Sequence, residues 1–233
     1  MHHPEYHRVH AGVELNGLRA AVLGANDGIV SIAGLLFGIA GATGSSAVLF
    51  ATGVAGIVAG ALSMAVGEFV SVSSSRDAER SLLNKEKLEL EAYPEEELKE
   101  LIGIYEKKGL SYETATVVAK ELTAHDAYAA HVEAELKIDP KHLTSPWQAA
   151  LASAGAFLAG AVIPLIAIIL PPPDIRIPAA FGAVLLALVL TGILSAEAGG
   201  ADKTKAVIRV LIGGILAMGI TYGIGTLLGA ISL

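Results

Sequence analysis

The chain has 233 residues, 53% hydrophobic and only 17% charged, with a formal net charge of −7 and a mean hydropathy of +0.60. Soluble domains carry about 25% charged residues, and here the deficit is concentrated. Between Asp27 and Glu68 there are 40 consecutive residues without Asp, Glu, Lys or Arg, and Leu143–Pro173, Ile177–Ala196 and Val210–Leu233 are charge-free runs of 31, 20 and 24. A bilayer core takes roughly 20 apolar residues per helical span, so a soluble single domain is excluded. The absence of cysteine excludes disulfides, thiolate zinc sites and iron–sulfur clusters, and the acidic balance argues against nucleic acid as a partner.

Residues 1–17 read as a polar cytoplasmic tail containing His2, His3, His7 and His10, better suited to disorder than to a metal site. The tail lacks the apolar core of a cleavable signal peptide, so the first span is expected to act as its own insertion signal. Spans one and two, about Leu18–Ala42 and Ala47–Val72, are separated by the turn-like Thr43-Gly44-Ser45-Ser46. An insert, 73–146, follows; from Val72 to His142 it holds 10 Lys+Arg and 16 Asp+Glu, nearly the whole net charge. It reads as three helices: Ser73–Ala92, continuous with span two and stopped before Pro94; Pro94–Lys108, with acidic Glu95, Glu96 and Glu97 in its first turn and Gly109 ending it; and a helix from Ser111 to about Lys137. Leu82, Leu83, Leu90, Leu98, Leu101, Ile104, Val118, Leu122 and Leu136 are its candidate core.

Three more spans complete 147–233. Trp147–Leu170 begins with an aromatic suited to the interface and ends at Pro171-Pro172-Pro173. The fourth span opens at Pro178 and runs to Ala198, where Gly199-Gly200 breaks the chain before the fifth, about Ala206–Ile231. Arg8 and Arg19 precede span one, and Lys203, Lys205 and Arg209 are counted with the loop between spans four and five; the loop at 171–177 holds only Arg176. Lys and Arg concentrate on the cytoplasmic side, which places the N-terminus and the insert in the cytoplasm and the C-terminus outside. The fold class is therefore all-α, a polytopic membrane protein with five transmembrane helices and a three-helix cytoplasmic insert. Small-xxx-small pairs such as Gly34/Gly38, Gly56/Gly60, Gly219/Gly223 and Gly225/Gly229 suit close helix packing in lipid.

No nucleophile elbow, P-loop or dinucleotide fingerprint is present, and an enzyme is not expected. The chemistry lies elsewhere. Asp27 in Ala25-Asn26-Asp27-Gly28 falls roughly 12 Å into span one, and an intramembrane carboxylate is costly enough to mark a functional site. Met64 and Glu68 are i and i+4 near the cytoplasmic end of span two and share a helix face. A thioether beside carboxylates suits a borderline divalent transition metal better than Ca²⁺ or Mg²⁺. In the insert, Glu86/Glu89 and Glu97/Glu100 each place two carboxylates on one face of consecutive helices, and His131 with Glu135 can close the cluster from the third. The plain alternative is a solvated acidic surface paired with Lys85, Lys87 and Lys99.

The stretch Leu18-Arg19-Ala20-Ala21-Val22-Leu23-Gly24-Ala25-Asn26-Asp27-Gly28-Ile29-Val30-Ser31 resembles the first-span signature of the vacuolar iron transporter family. Ser63-Met64-Ala65-Val66-Gly67-Glu68-Phe69-Val70-Ser71, followed by Arg76-Asp77, resembles its second, and Glu121-Leu122-Thr123 with His131 through Glu135-Leu136 resembles its third insert helix. The likeness runs from Leu18 to Leu228 in order. It implies a five-span homodimer that exchanges Fe²⁺, and often Mn²⁺, for protons and moves metal out of the cytosol. It also implies a pathway between subunits lined by Asp27, Met64 and Glu68, and metal gathering by Glu86, Glu89, Glu97, Glu100 and Glu135. Where some members place methionines on the third insert helix, this chain has His131 and Val132.

These readings make divalent metal ions, protons, the lipid bilayer and a second copy of the chain its expected partners. The donor set is open to Mn²⁺, Co²⁺ and Zn²⁺ as well as Fe²⁺, because geometry and availability decide among them. The expected location is the cell membrane, with a vacuolar-type membrane as the alternative. A membrane-anchored iron sensor or store, and an uncoupled metal channel, are the competing functions; Asp27 inside the membrane speaks against a mere anchor.

Overall fold

The computed structural model describes residues 8–140 and 143–231, with side chains from Ala21 onward. His2, His3 and His7 lie outside the described residues, as does the side chain of His10. The helices are α1 (Arg8–Ala42), α2 (Ser46–Ala92), α3 (Pro94–Lys107), α4 (Tyr112–His131), α5 (Pro146–Ile169), α6 (Arg176–Gly199) and α7 (Lys203–Ile231), with a π-helical turn at Val132–Leu136. No strand occurs among the described residues. Five helices (α1, α2, α5, α6 and α7) are long and apolar enough to cross a membrane, so the protein is an all-α, multi-pass membrane protein. Helix α1 begins at Arg8, inside the stretch read as a tail.

The chain forms two units, Met1–Phe69 with Pro146–Leu233 and Val70–Ser145. In the first unit α1 is the central helix, packed along α5 and α7 and also touching α6. Lipid offers no hydrophobic drive for this association, so it rests on close packing. Two crossings show how. A Cβ on Gly28 of α1 or Gly160 of α5 would collide with the facing backbone at Phe157 and Ala25 respectively, and one on Gly225 of α7 would collide with Gly38 of α1. Ile29, Leu36, Val184, Leu188 and Ile168 fill the space between helices, and Phe37 meets Phe181 and Tyr222 edge to face. Helix α2 is attached differently: Leu49, Ile57 and Ala61 reach the core through their side chains, without the close backbone approach seen among α1, α5 and α7.

The first residue of α6 carries a buried charge. Arg176, 5% exposed, donates to the Gly44 carbonyl at 3.2 Å and to Ser46 Oγ at 2.5 Å. The arginine that sequence counting assigns to a loop therefore fastens the turn between α1 and α2 to the start of α6.

In the second unit Pro94 stands in the first turn of α3, and Gly109 at φ +100° ends it. The Ser111 side chain caps α4 by accepting from the Thr114 N–H at 3.3 Å. Leu101, Ile102, Ala115, Ala119, Ala130 and Ala134 form the core, with Leu98, Ile104 and Leu122 packed against it. Small alanines let α3 and α4 approach closely, and a purely leucine-based reading misses them. Leu82, expected in this core, is 46% exposed, one residue off the buried face that holds Leu83 and Glu86.

The third insert helix is not the continuous element that its sequence suggests. Asp126 adopts φ −162°, ψ 96°, and its Oδ1 accepts from the Ala129 N–H at 2.9 Å, so the chain ends one helix and caps another. A π-helical turn follows directly, closed by Lys137 in the left-handed region at φ 54° with its N–H on the Val132 carbonyl.

Candidate functional site

Three elements of the second unit converge on one point. Glu86 comes from α2, Glu97 from the first turn of α3 and His131 from the last turn of α4; they are 3%, 8% and 0% exposed. One ligand atom from each lies within 4.8 Å of the others. From His131 Nδ1 the distances are 3.0 Å to Glu86 Oε1, 3.6 Å to Glu97 Oε2 and 3.7 Å to Glu135 Oε2. Glu135, carried by the π-helical turn, stands at the more exposed rim. A π turn re-aims side chains relative to regular helix and is often found at functional sites.

The polar atoms of this cluster do not satisfy one another. Glu86 Oε1 and both ring nitrogens of His131 are buried without a hydrogen-bond partner among the described residues, although Nδ1 and Oε1 are only 3.0 Å apart. The atoms are close but misaligned for a mutual bond. Buried polar groups are paired in nearly all native sites, so a converging set of lone pairs left open is suited to a cation.

The electrostatics agree. Burial, followed by the carboxylates of Glu135, Glu97, Glu89 and Glu100, pushes the Glu86 carboxyl up to about 7. Glu97 is also raised, by burial and then by Glu100, against an opposing pull from His131. Like charges crowded into a poorly solvated space favour the neutral acids until a cation replaces the protons. Glu89 and Glu100 stay outside the buried cluster. Glu89 pairs with Lys85 at 3.1 Å, which raises the lysine, and Glu100 is exposed on α3.

The intramembrane candidates lie in the first unit. Asp27 accepts a hydrogen bond from Ser31 Oγ at 3.0 Å and lines a cavity of about 490 Å³ with Asn26, Met64 and Arg209. A second cavity of about 580 Å³ is lined by Asn26, Met64, Glu68, Ser153, Thr191 and Ser195. Met64 and Asn26 border both, so Asp27 and Glu68 flank the one thioether. Gly28, turned against α5, sets the rotation of α1 that leaves Asn26 and Asp27 facing these spaces.

Sequence reasoning missed several lining residues. Arg209, counted with the loop in the charge tally although it falls inside the bounds of the fifth span, lies within α7 and lines the same cavity as Asp27. Asn26 has a buried Oδ1 without a hydrogen-bond partner among the described residues; its place beside Asp27 was the available signal. Nothing local marks Ser153, Thr191 and Ser195, isolated hydroxyls in apolar helices.

Comparison with known proteins decides the family. Residues 18–226 match the model described as the VIT family. The chain belongs to this family. It is similar to "Vacuolar iron transporter" of Acanthamoeba castellanii, 43% identical over 211 residues covering 90% of this chain and 78% of that protein. It is also similar to "Vacuolar iron transporter homolog 3" of Arabidopsis thaliana, 40% identical over 214 residues, 91% of this chain and 84% of the relative. "Vacuolar iron transporter homolog 1" of Oryza sativa subsp. japonica is 37% identical over 213 residues, 91% and 74%.

Proposed function

We propose that this VIT-family chain is a transporter, not an enzyme, that moves Fe²⁺, and Mn²⁺ as a second substrate, out of the cytosol in exchange for protons. The observation that carries this reading is the pair of intramembrane cavities flanking Met64, with Asp27 on one and Glu68 on the other. The names of the relatives, a vacuolar iron transporter and vacuolar iron transporter homologs, support iron as the cargo. Glu86, Glu97, His131 and Glu135 collect M²⁺ from the cytosol, with Glu89 and Glu100 supplying negative potential around them. Asp27, Met64 and Glu68 then replace part of the hydration shell, and protons from the far side compete for the same carboxylates. A second copy related by two-fold symmetry doubles this ligand set; Leu62 and Val66, beside Met64 on α2, are exposed in the single chain and free to meet it.

The proposed location is the cell membrane with the insert cytoplasmic. The relatives' names favour a vacuolar-type membrane as the second reading, and fractionation of tagged protein decides between them. A second functional reading, an iron store or sensor, is favoured by the deep burial of Glu86 and His131. Proteoliposomes loaded with a metal-sensitive dye separate the two. Under an imposed pH gradient, Fe²⁺ and Mn²⁺ flux with counter-movement of protons is expected, and Asp27→Ala and Met64→Ala should abolish it. Flux unchanged in both variants would overturn the pathway; binding without any flux in the parent protein would establish the store.

A further inference from the structure

The second unit contains another cavity, of about 450 Å³, whose chemistry is opposite to that of the metal cluster. Among the described residues its polar walls are Arg76, Arg80, Asn84 and Tyr128, and no carboxylate lines it. This is notable in an insert where acidic residues outnumber basic ones 16 to 10. Arg76 and Arg80 are i and i+4 on α2, so their guanidinium groups repel across one helix face. Among the described residues neither has an ion-pair partner, and Arg76 Nε is buried there without a hydrogen-bond partner. Two positive forks, a buried open N–H, an amide and a phenol converge on a space large enough for a small polar group.

We propose that this cavity is a phosphate site, and that the phosphate it takes is carried on an anionic lipid headgroup. Guanidinium groups bind phosphate through paired N–H donors, and an entering anion relieves the repulsion between Arg76 and Arg80. The position along α2 favours the lipid source. Arg76 and Arg80 follow Val72, the end of the apolar run, by one and two turns, about 6 and 12 Å of helix. A headgroup layer is about 5–7 Å thick on each side of the hydrocarbon core, so Arg76 emerges at phosphate level. Basic pockets at such positions are suited to anionic lipid.

The test uses the full chain in nanodiscs of phosphatidylcholine with a minority of phosphatidylglycerol, and native mass spectrometry to count retained lipid. Each arginine near an anionic surface is expected to contribute enough that Arg76→Gln with Arg80→Gln loses about 30-fold in phosphatidylglycerol retention. Lys107→Gln with Lys120→Gln, the same change in net charge on exposed positions, should retain it as the parent does. In phosphatidylcholine alone, inorganic phosphate is added and its ³¹P line width followed. Broadening that disappears with the arginine pair, without selective lipid retention, keeps the phosphate site but assigns it to free phosphate and overturns the lipid source. Equal retention in parent, arginine and lysine variants, with no phosphate broadening, overturns the site altogether. If the glutamine variant does not fold, Arg76→Lys with Arg80→Lys keeps the charges but removes the forks, and parent-level retention in it overturns paired guanidinium recognition.

Discussion

At the scale of single residues, Glu86 connects burial to pH. Its carboxyl is pushed up from 4.5 to about 7, so between these values the folded chain holds a proton that the unfolded chain has released. Stability contributed by neutral Glu86 is therefore present below about pH 4.5 and is lost as pH rises to about 7. A shift of this size corresponds to on the order of 3 kcal/mol. Thermal unfolding followed by circular dichroism in the presence of a chelator should show a midpoint that falls across this window. Glu86→Gln should flatten the fall and exceed the parent above pH 7, whereas Mn²⁺ should restore the parent and do little for the variant. Arg209 offers a second residue-scale test, since a fixed cation in the cavity of Asp27 opposes the entry of a metal ion. Arg209→Gln should lower the half-saturating metal concentration severalfold in proteoliposomes, and Arg209→Lys should leave it close to that of the parent.

At the scale of elements, the break in α4 positions the cluster. Asp126 leaves helical geometry and caps the segment that carries His131. Asp126→Ala removes an N-cap worth about 1 kcal/mol and should weaken metal binding by calorimetry, though less than His131→Ala does; Asp126→Asn, which keeps an accepting oxygen, should bind nearly as the parent. This break was not legible in the sequence. The stops at Pro94, Gly109 and Gly200 were, because a missing N–H or a left-handed backbone is a local property. An extended aspartate in a run of good helix formers depends on what surrounds it, and its short-range periodicity still reads as one helix. The same division separates the site residues. Asp27, Met64 and the glutamates stand out by residue type, whereas Arg209, Ser153 and Ser195 gain meaning only when α5, α6 and α7 pack around α1.

At the scale of the whole molecule, the proposed function divides the −7 charge between two tasks, a buried metal collector in the insert and a few carboxylates in the spans. The two tasks make different kinetic demands, which separates them experimentally. A ligand that only gathers metal changes the concentration at which transport saturates; a ligand on the route changes the maximal rate. Glu86→Gln should therefore raise the half-saturating Fe²⁺ concentration while leaving the maximal flux near that of the parent. Asp27→Asn should remove the flux itself and leave metal binding by the insert intact. Proton bookkeeping gives the independent readout. With Glu86 titrating at about 7, metal binding should displace roughly 0.9 proton from it at pH 6 and roughly 0.1 at pH 8. Calorimetry in buffers of different ionisation enthalpy measures that difference. It should survive in Asp27→Asn and vanish in Glu86→Gln; a pH-dependent proton release that instead follows Asp27 would place the main metal-for-proton exchange in the membrane and not in the collector.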